Sequence, residues 1–191
     1  MNSLKMFVRI ALVVAASFAR AGDPPAAAAA SEALARGKYL VTIAACNDCH
    51  TPWKMTAEGP KPDMVLMLSG HPEAMVLPPA PKAPEGPWQG AFAVTNTAWA
   101  GPWGVSFTAN LTPDRETGLG KWTVRNFTET IRTGRHLGRG REILPPMPIP
   151  QYKNFTDEDL AAIFTYLQSI PAVKNRVPEP RQPAALANTA Q

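Results

Sequence analysis

Cysteine is scarce, with two in 191 residues, and the two lie three positions apart. A disulfide framework of the kind that staples small secreted scaffolds is therefore excluded. Long apolar runs are missing too. No stretch reaches the roughly 18–20 residues that cross a bilayer, which excludes a polytopic membrane protein. No internal repeat is present, so a solenoid or an array is excluded. Proline, by contrast, is abundant at 21 residues, and long uninterrupted helices or central strands cannot fill such a chain. The remaining composition, 45% hydrophobic and 18% charged, suits one globular domain with a moderate core.

Residues 1–21 read as a signal peptide. Lys5 and Arg9 supply a positive start, Ile10 to Phe18 an apolar stretch, and Ala19-Arg20-Ala21 a small-x-small cleavage site. An uncleaved amphipathic anchor is the alternative. Export implies an oxidising compartment, here a periplasm, and cleavage leaves no transmembrane span. Removing Lys5, Arg9 and Arg20 lowers the formal charge from +4 to +1, so the basicity that would suggest a nucleic-acid partner is largely a targeting feature. Residues 22–30 form a Pro/Ala-rich flexible linker, 31–175 the folded domain, and 176–191 a polar, Pro-rich disordered tail.

Within the domain, Ser31 is placed to cap a helix from about Glu32 to Asp48, with Leu34, Val41 and Ala45 on one stripe and Gly37 and Leu40 beside it. From Thr51 to Pro113 the periodicity fails. Eleven prolines and Trp53, Trp88, Trp99 and Trp103 fall there, which predicts a long ordered loop layer with one short helix near Met64 to Leu68. Regularity returns at Thr123, a plausible N-cap, with Val124, Phe127 and Ile131 on one helical face and Gly134 as its left-handed end. A final helix starts at Thr156, carries Asp157, Glu158 and Asp159 in its first turn, and stops before Pro171. The architecture expected from this pattern is all-α, with a Pro/Trp-rich loop insertion spanning about residues 54–108.

Cys46-Asn47-Asp48-Cys49-His50 matches C-x-x-C-H, the attachment signature of c-type haem. Two thiols nearly one helical turn apart can each add to a vinyl group of one porphyrin, and the adjacent His50 then serves as proximal ligand. A zinc site would need further ligands and no other cysteine exists. A thioredoxin-like pair would need a βαβ setting, which is absent. A plain pair of exposed thiols is the remaining rival.

Iron held by one histidine is either left open or closed by a second side chain. Met147 is the favoured distal ligand, because Pro145, Pro146 and Pro148 stiffen the loop that carries it. Met55 is too close to His50, and Met64, Met67 and Met75 read as packing residues. His71 and His136 are the candidates for a bis-histidine alternative. Lys121, Arg125, Arg132, Arg135, Arg139 and Arg141 face only Glu129 in their stretch. They form either a steering surface for an acidic redox partner or a solvated face.

These residues resemble the class I c-type cytochromes of bacterial periplasms. Gly37-Lys38-Tyr39-Leu40 before Cys46 is similar to their first helix. Ala109 to Asp114 with Glu116 to Thr123 is similar to a loop of the cytochrome subunits of membrane-linked alcohol and gluconate dehydrogenases. Pro146-Met147-Pro148 and Phe155 to Leu160 complete a match over residues 34–170. Those subunits commonly carry three haems, whereas this chain has a single C-x-x-C-H, so it resembles one module of them. The resemblance implies a class I cytochrome c fold, one covalently attached haem c and His50/Met147 ligation. It also implies that Trp122 lies near a haem propionate, that Pro113 or a residue before it offers a carbonyl to His50, and that Gly37 sits at a close helix crossing against Tyr166.

The expected function is that of a periplasmic single-electron carrier, not an enzyme. Its partners would be redox proteins, with a membrane-linked dehydrogenase or oxidase among the candidates. The alternative is a peroxidase-like enzyme or a gas or redox sensor with an open or displaceable distal position, an idea that His136 beside Arg135 keeps alive.

Overall fold

The computed structural model describes residues 26–80 and 90–183. The expected signal segment and the end of the expected tail lie outside them.

Helix α1 (Ala26–Ile43) begins upstream of Ser31, so Ala26 to Ala30 extend the helix and are not linker. A run of alanines carries the highest helix propensity and needs no cap to do this. The helix does not continue to Asp48. Ala45 takes a left-handed backbone (φ 56°, ψ 29°), and a separate short helix α2 (Cys46–His50) follows. Alanine favours neither event. The Ala44 carbonyl instead accepts a hydrogen bond from the Tyr152 hydroxyl, 108 residues away, and a tertiary bond of this kind overrides local preference.

Helix α3 (Val124–Thr133) is bounded as its sequence predicts. Thr123 Oγ1 accepts from the Asn126 N–H at 3.1 Å, Asn126 Oδ1 accepts from the Thr123 N–H at 3.1 Å, and Gly134 (φ 70°) ends the helix. A short helix α4 (Ile149–Tyr152) follows the Met147 loop. Helix α5 (Asp157–Ser169) starts at Thr156, whose Oγ1 accepts from the Asp159 N–H at 3.1 Å.

The core is where α1 and α3 meet α5. Leu40 and Val41 pack with Leu160, Ile163 and Leu167, and the rings of Phe127 and Phe164 lie 5.7 Å apart. Gly37 marks the crossing: a Cβ there would sit 2.0 Å from the Ala162 carbonyl oxygen and 2.8 Å from Tyr166 Cβ.

The all-α expectation is wrong for the insertion, which holds two antiparallel sheets. Strands β1 (Trp53–Thr56) and β2 (Gly59–Pro62) form a hairpin, and β3 (Ala91–Phe92), β4 (Ala98–Gly101) and β5 (Gly104–Phe107) form a three-stranded meander. The expected helix near Met64 shrinks to a 3₁₀ turn over Met64–Leu66. The strands have at most four residues, and β5 is buried at every position, so neither length nor alternation betrays them in the sequence. A small second core of Ala98, Val105 and Phe107 holds the meander together.

Residues 176–183 correct a further expectation. They are not a loose tail but an arm laid on the meander: Val105 N–H donates to the Arg181 carbonyl, and Arg181 N–H donates back to Val105, both at 2.9 Å. Buried Asn175 fastens the root of the arm. Its Nδ2 donates to the carbonyls of Ser69 (2.7 Å) and His71 (2.9 Å), while its Oδ1 accepts from the Glu73 N–H (2.8 Å).

Candidate haem-binding site

A cavity of about 370 Å³ opens between the α-helical core and the meander, within the size range of cofactor pockets. Its walls are mainly apolar: Leu111, Phe127, Ile131, Phe155, Ile163 and Leu167 line it. The Cys46, Cys49 and His50 group faces it from α2, and Met147 faces it from the loop before α4. Leu144, Pro146 and Pro148 complete that stretch of wall.

His50 is buried at 7% exposure, and its Nδ1–H donates to the Ala109 carbonyl at 2.8 Å. That bond leaves Nε2 with its lone pair free, the arrangement metal-bound histidines use. Burial holds the ring's pKa below its ordinary value, with the Ala109 bond opposing. Ala109 reaches it because Gly70 lets two segments approach: Gly70 has φ +80°, and a Cβ there would lie 2.4 Å from the Thr108 carbonyl oxygen and 2.7 Å from that of Ala109. Gly70 N–H in turn donates to the His50 carbonyl at 2.8 Å.

Cys46 and Cys49 are free thiols. Burial, the larger influence, pushes Cys46 up to about 12, and Cys49 is also raised, by burial and then by the Asp48 carboxylate. The residues present therefore fit a c-type haem: two unpaired thiols, a histidine with the metal-binding nitrogen free, and a thioether, around one apolar cavity.

The other methionines of the described residues stand elsewhere. Met55 and Met64 are exposed, Met67 packs against the core, and Met75 sulfur lies 3.7 Å from Thr95 Oγ1. His71 lies in the insertion, away from the cavity walls, and both of its nitrogens are engaged. Nδ1 is 2.9 Å from Thr97 Oγ1, and Nε2 is 3.0 Å from the Met75 carbonyl. It is a structural residue and not a candidate second ligand. His136 does line the cavity, edge-on to Trp122 at 5.2 Å between ring centroids, and Trp122 lines it as well. Burial and the nearby Arg141 charge depress the pKa of His136, with Glu179 opposing.

The basic stretch has more partners than Glu129. Arg125 pairs with Glu129 at 2.7 Å, Arg132 with Asp157 at 2.6 Å and Arg141 with Glu179 at 3.1 Å, the last two partners coming from distant elements. The Arg141–Glu179 pair stands at the cavity wall, where the arm also contributes Arg176 to Pro180. The resemblance pointed to Pro113 or a residue before it as the carbonyl partner of His50, and the structure gives Ala109. The sequence held no signal for the roles of Gly70, Ser106, Tyr152 or Asn175, because each acts through a partner far along the chain.

No family model matches the chain. It is similar to cytochrome subunits of dehydrogenases. It is 25% identical over 164 residues to the fructose dehydrogenase cytochrome subunit of Gluconobacter japonicus, covering 83% of this chain and 26% of that protein. It is 26% identical over 161 residues to the cytochrome c subunit of the quinone alcohol dehydrogenase of Gluconobacter oxydans, covering 82% and 26%. It is 28% identical over 131 residues to the gluconate 2-dehydrogenase cytochrome c subunit of Pantoea cypripedii, covering 69% and 22%. The resemblance read from residues 34–170, the Ala109–Thr123 loop among them, is thus to cytochrome c subunits of alcohol, fructose and gluconate dehydrogenases. The chain spans about a quarter of the length of these relatives. No described helix is long and apolar enough to cross a membrane.

Proposed function

We propose that the chain is a monohaem c-type cytochrome that carries single electrons in the periplasm, with His50 and Met147 as its iron ligands. The observation that carries this reading is the shared cavity of Cys46, Cys49, His50 and Met147, with His50 Nδ1 already committed to Ala109. Cys46 and Cys49 would hold the cofactor by adding across its two vinyl groups, sulfur bonding one carbon and the thiol hydrogen going to the other. When bound, haem c supplies a one-electron ferric/ferrous couple. The Ala109 carbonyl fixes the His50 tautomer and increases its basicity. The Met147 thioether favours the reduced ion relative to a second imidazole, and the apolar walls exclude water and disfavour the extra charge of the oxidised state. Trp122, on the same cavity, is the candidate donor to a propionate. The likeness to dehydrogenase cytochrome subunits supports a dehydrogenase as electron donor, and the reading of residues 1–21 as a cleaved signal supports export.

The test is Met147→Ala in the haem-loaded protein. The wild type should show the weak far-red sulfur-to-iron absorption band in its ferric form and resist carbon monoxide when reduced. Met147→Ala should abolish the band, lower the potential and admit carbon monoxide. Met147→His should stay closed at a lower potential. A wild type that lacks the band and binds carbon monoxide readily would favour an enzyme or sensor, with His136 as a polar group on the same cavity.

A further inference from the structure

We propose that Ser106 is the positioning residue of the Met147 loop, and that the inserted meander is the mount on which that loop is held. This rests on the reading of Met147 as iron ligand. Three of the five residues from Leu144 to Pro148 are prolines, without an N–H, so the segment has few donors with which to tie itself down. It has to be held by its carbonyl oxygens. Downstream, α4 does this: Met147 O accepts from Ile149 N–H at 2.9 Å, and Pro148 O accepts from Gln151 and Tyr152 N–H, both at 3.1 Å. Upstream, the donor comes from the insertion. Ser106 Oγ–H donates to the Pro145 carbonyl at 2.6 Å, across 39 residues of chain.

The mount is rigid. Ser106 is 7% exposed and lies within β5, which is buried throughout. One edge of β5 is paired to β4, with Ser106 opposite Trp99, and the other is paired to Arg181 of the arm. A one-residue slip would turn Ser106 to the opposite face, and pairing on both edges prevents it. At the far end of the loop, the Tyr152 hydroxyl donates to the Ala44 carbonyl, two residues before Cys46. Met147 is therefore suspended between a hydrogen bond to the sheet and one to the haem-attachment segment. The insertion, which contributes no ligand, sets how often the thioether leaves.

The experiment compares Ser106→Ala, which removes the donor without adding bulk, with Ser106→Thr, which keeps it, in the full-length haem-loaded protein. Losing one ordinary hydrogen bond changes a population by about tenfold. Ser106→Ala should accordingly raise the carbon-monoxide-binding fraction of the reduced protein by about tenfold, weaken the far-red band and lower the potential. Ser106→Thr should stay near wild type. A purely structural role would lower the denaturation midpoint of Ser106→Ala and leave the band and carbon monoxide binding unchanged, which overturns the proposal. Equal opening in the alanine and threonine variants also overturns it. Should Ser106→Ala not fold, Ser106→Cys, near in size and a much weaker donor, is read in the same way. A wild type without the band removes the Met147 reading and this one together; a wild type with the band and an unchanged Ser106→Ala removes only this one.

Discussion

A histidine ring has two nitrogens, and the partner of one decides what the other is free to do. His50 gives Nδ1 to the Ala109 carbonyl and keeps Nε2 for the cavity, whereas His71 has both nitrogens engaged within the insertion. The same residue type is thus a ligand candidate in one place and a strut in the other. The two cysteines differ as well. Cys46 packs against the core and is pushed up to about 12, while Cys49 is less enclosed. A raised pKa means less thiolate at a given pH, and thiolate is the reacting form. In haem-free protein, iodoacetamide should label Cys49 ahead of Cys46 at mildly alkaline pH. Peptide mapping by mass spectrometry after timed pulses checks this, and equal rates would contradict the higher pKa of Cys46. The haem-loaded protein offers the complementary check: a double Cys46→Ser, Cys49→Ser variant should release its haem to acid–acetone, whereas the wild type should not.

Among the elements, the crossing of α1 over α5 leaves no room for a side chain at Gly37. Alanine is the better helix former by about 1 kcal/mol, so propensity alone predicts that Gly37→Ala stabilises α1. The overlap of its Cβ with the Ala162 carbonyl at 2.0 Å decides otherwise, since the obstacle is backbone and cannot rotate away. Gly37→Ala should destabilise the protein by about 2 kcal/mol net, as overpacked cores do, with the helices forced apart. Urea unfolding of the variant measures it, and an unchanged or raised midpoint would mean that the crossing has slack. The Arg36–Asp159 pair at the same crossing is half in solvent and contributes little by comparison.

At the level of the whole molecule, acid should loosen the joint between insertion, arm and core before it touches the carboxylates. His71 sits at that joint, its backbone carbonyl bonded to Asn175, and burial holds its pKa below the ordinary 6.5, helped by the Arg181 charge and opposed by the bond to Met75. A group with a lowered folded pKa binds its proton more readily when unfolded. Its contribution is therefore complete above about pH 6.5 and is lost as pH falls from there toward the folded value. Asp63 and Asp114 are held below 3.8, chiefly by bonds from Lys54 and from Thr117, so their loss comes only at lower pH. The urea midpoint should fall as pH drops below about 6.5, and His71→Gln should reduce that fall, leaving the share of His136; a midpoint that stays level there, or a fall that His71→Gln leaves unchanged, would count against it. The local features of this chain, the Cys46–Cys49–His50 spacing and the caps at Thr123, Gly134 and Thr156, were legible in sequence, because each joins residues within one or two helical turns. The sheets, the break at Ala45, the docked arm and the Ser106 bond were not, and the His50 partner was narrowed only to Pro113 or a residue before it. A carbonyl oxygen looks the same at every position in a sequence. Which one receives the His50 or Ser106 hydrogen is settled only when segments 59 and 39 residues apart are packed together.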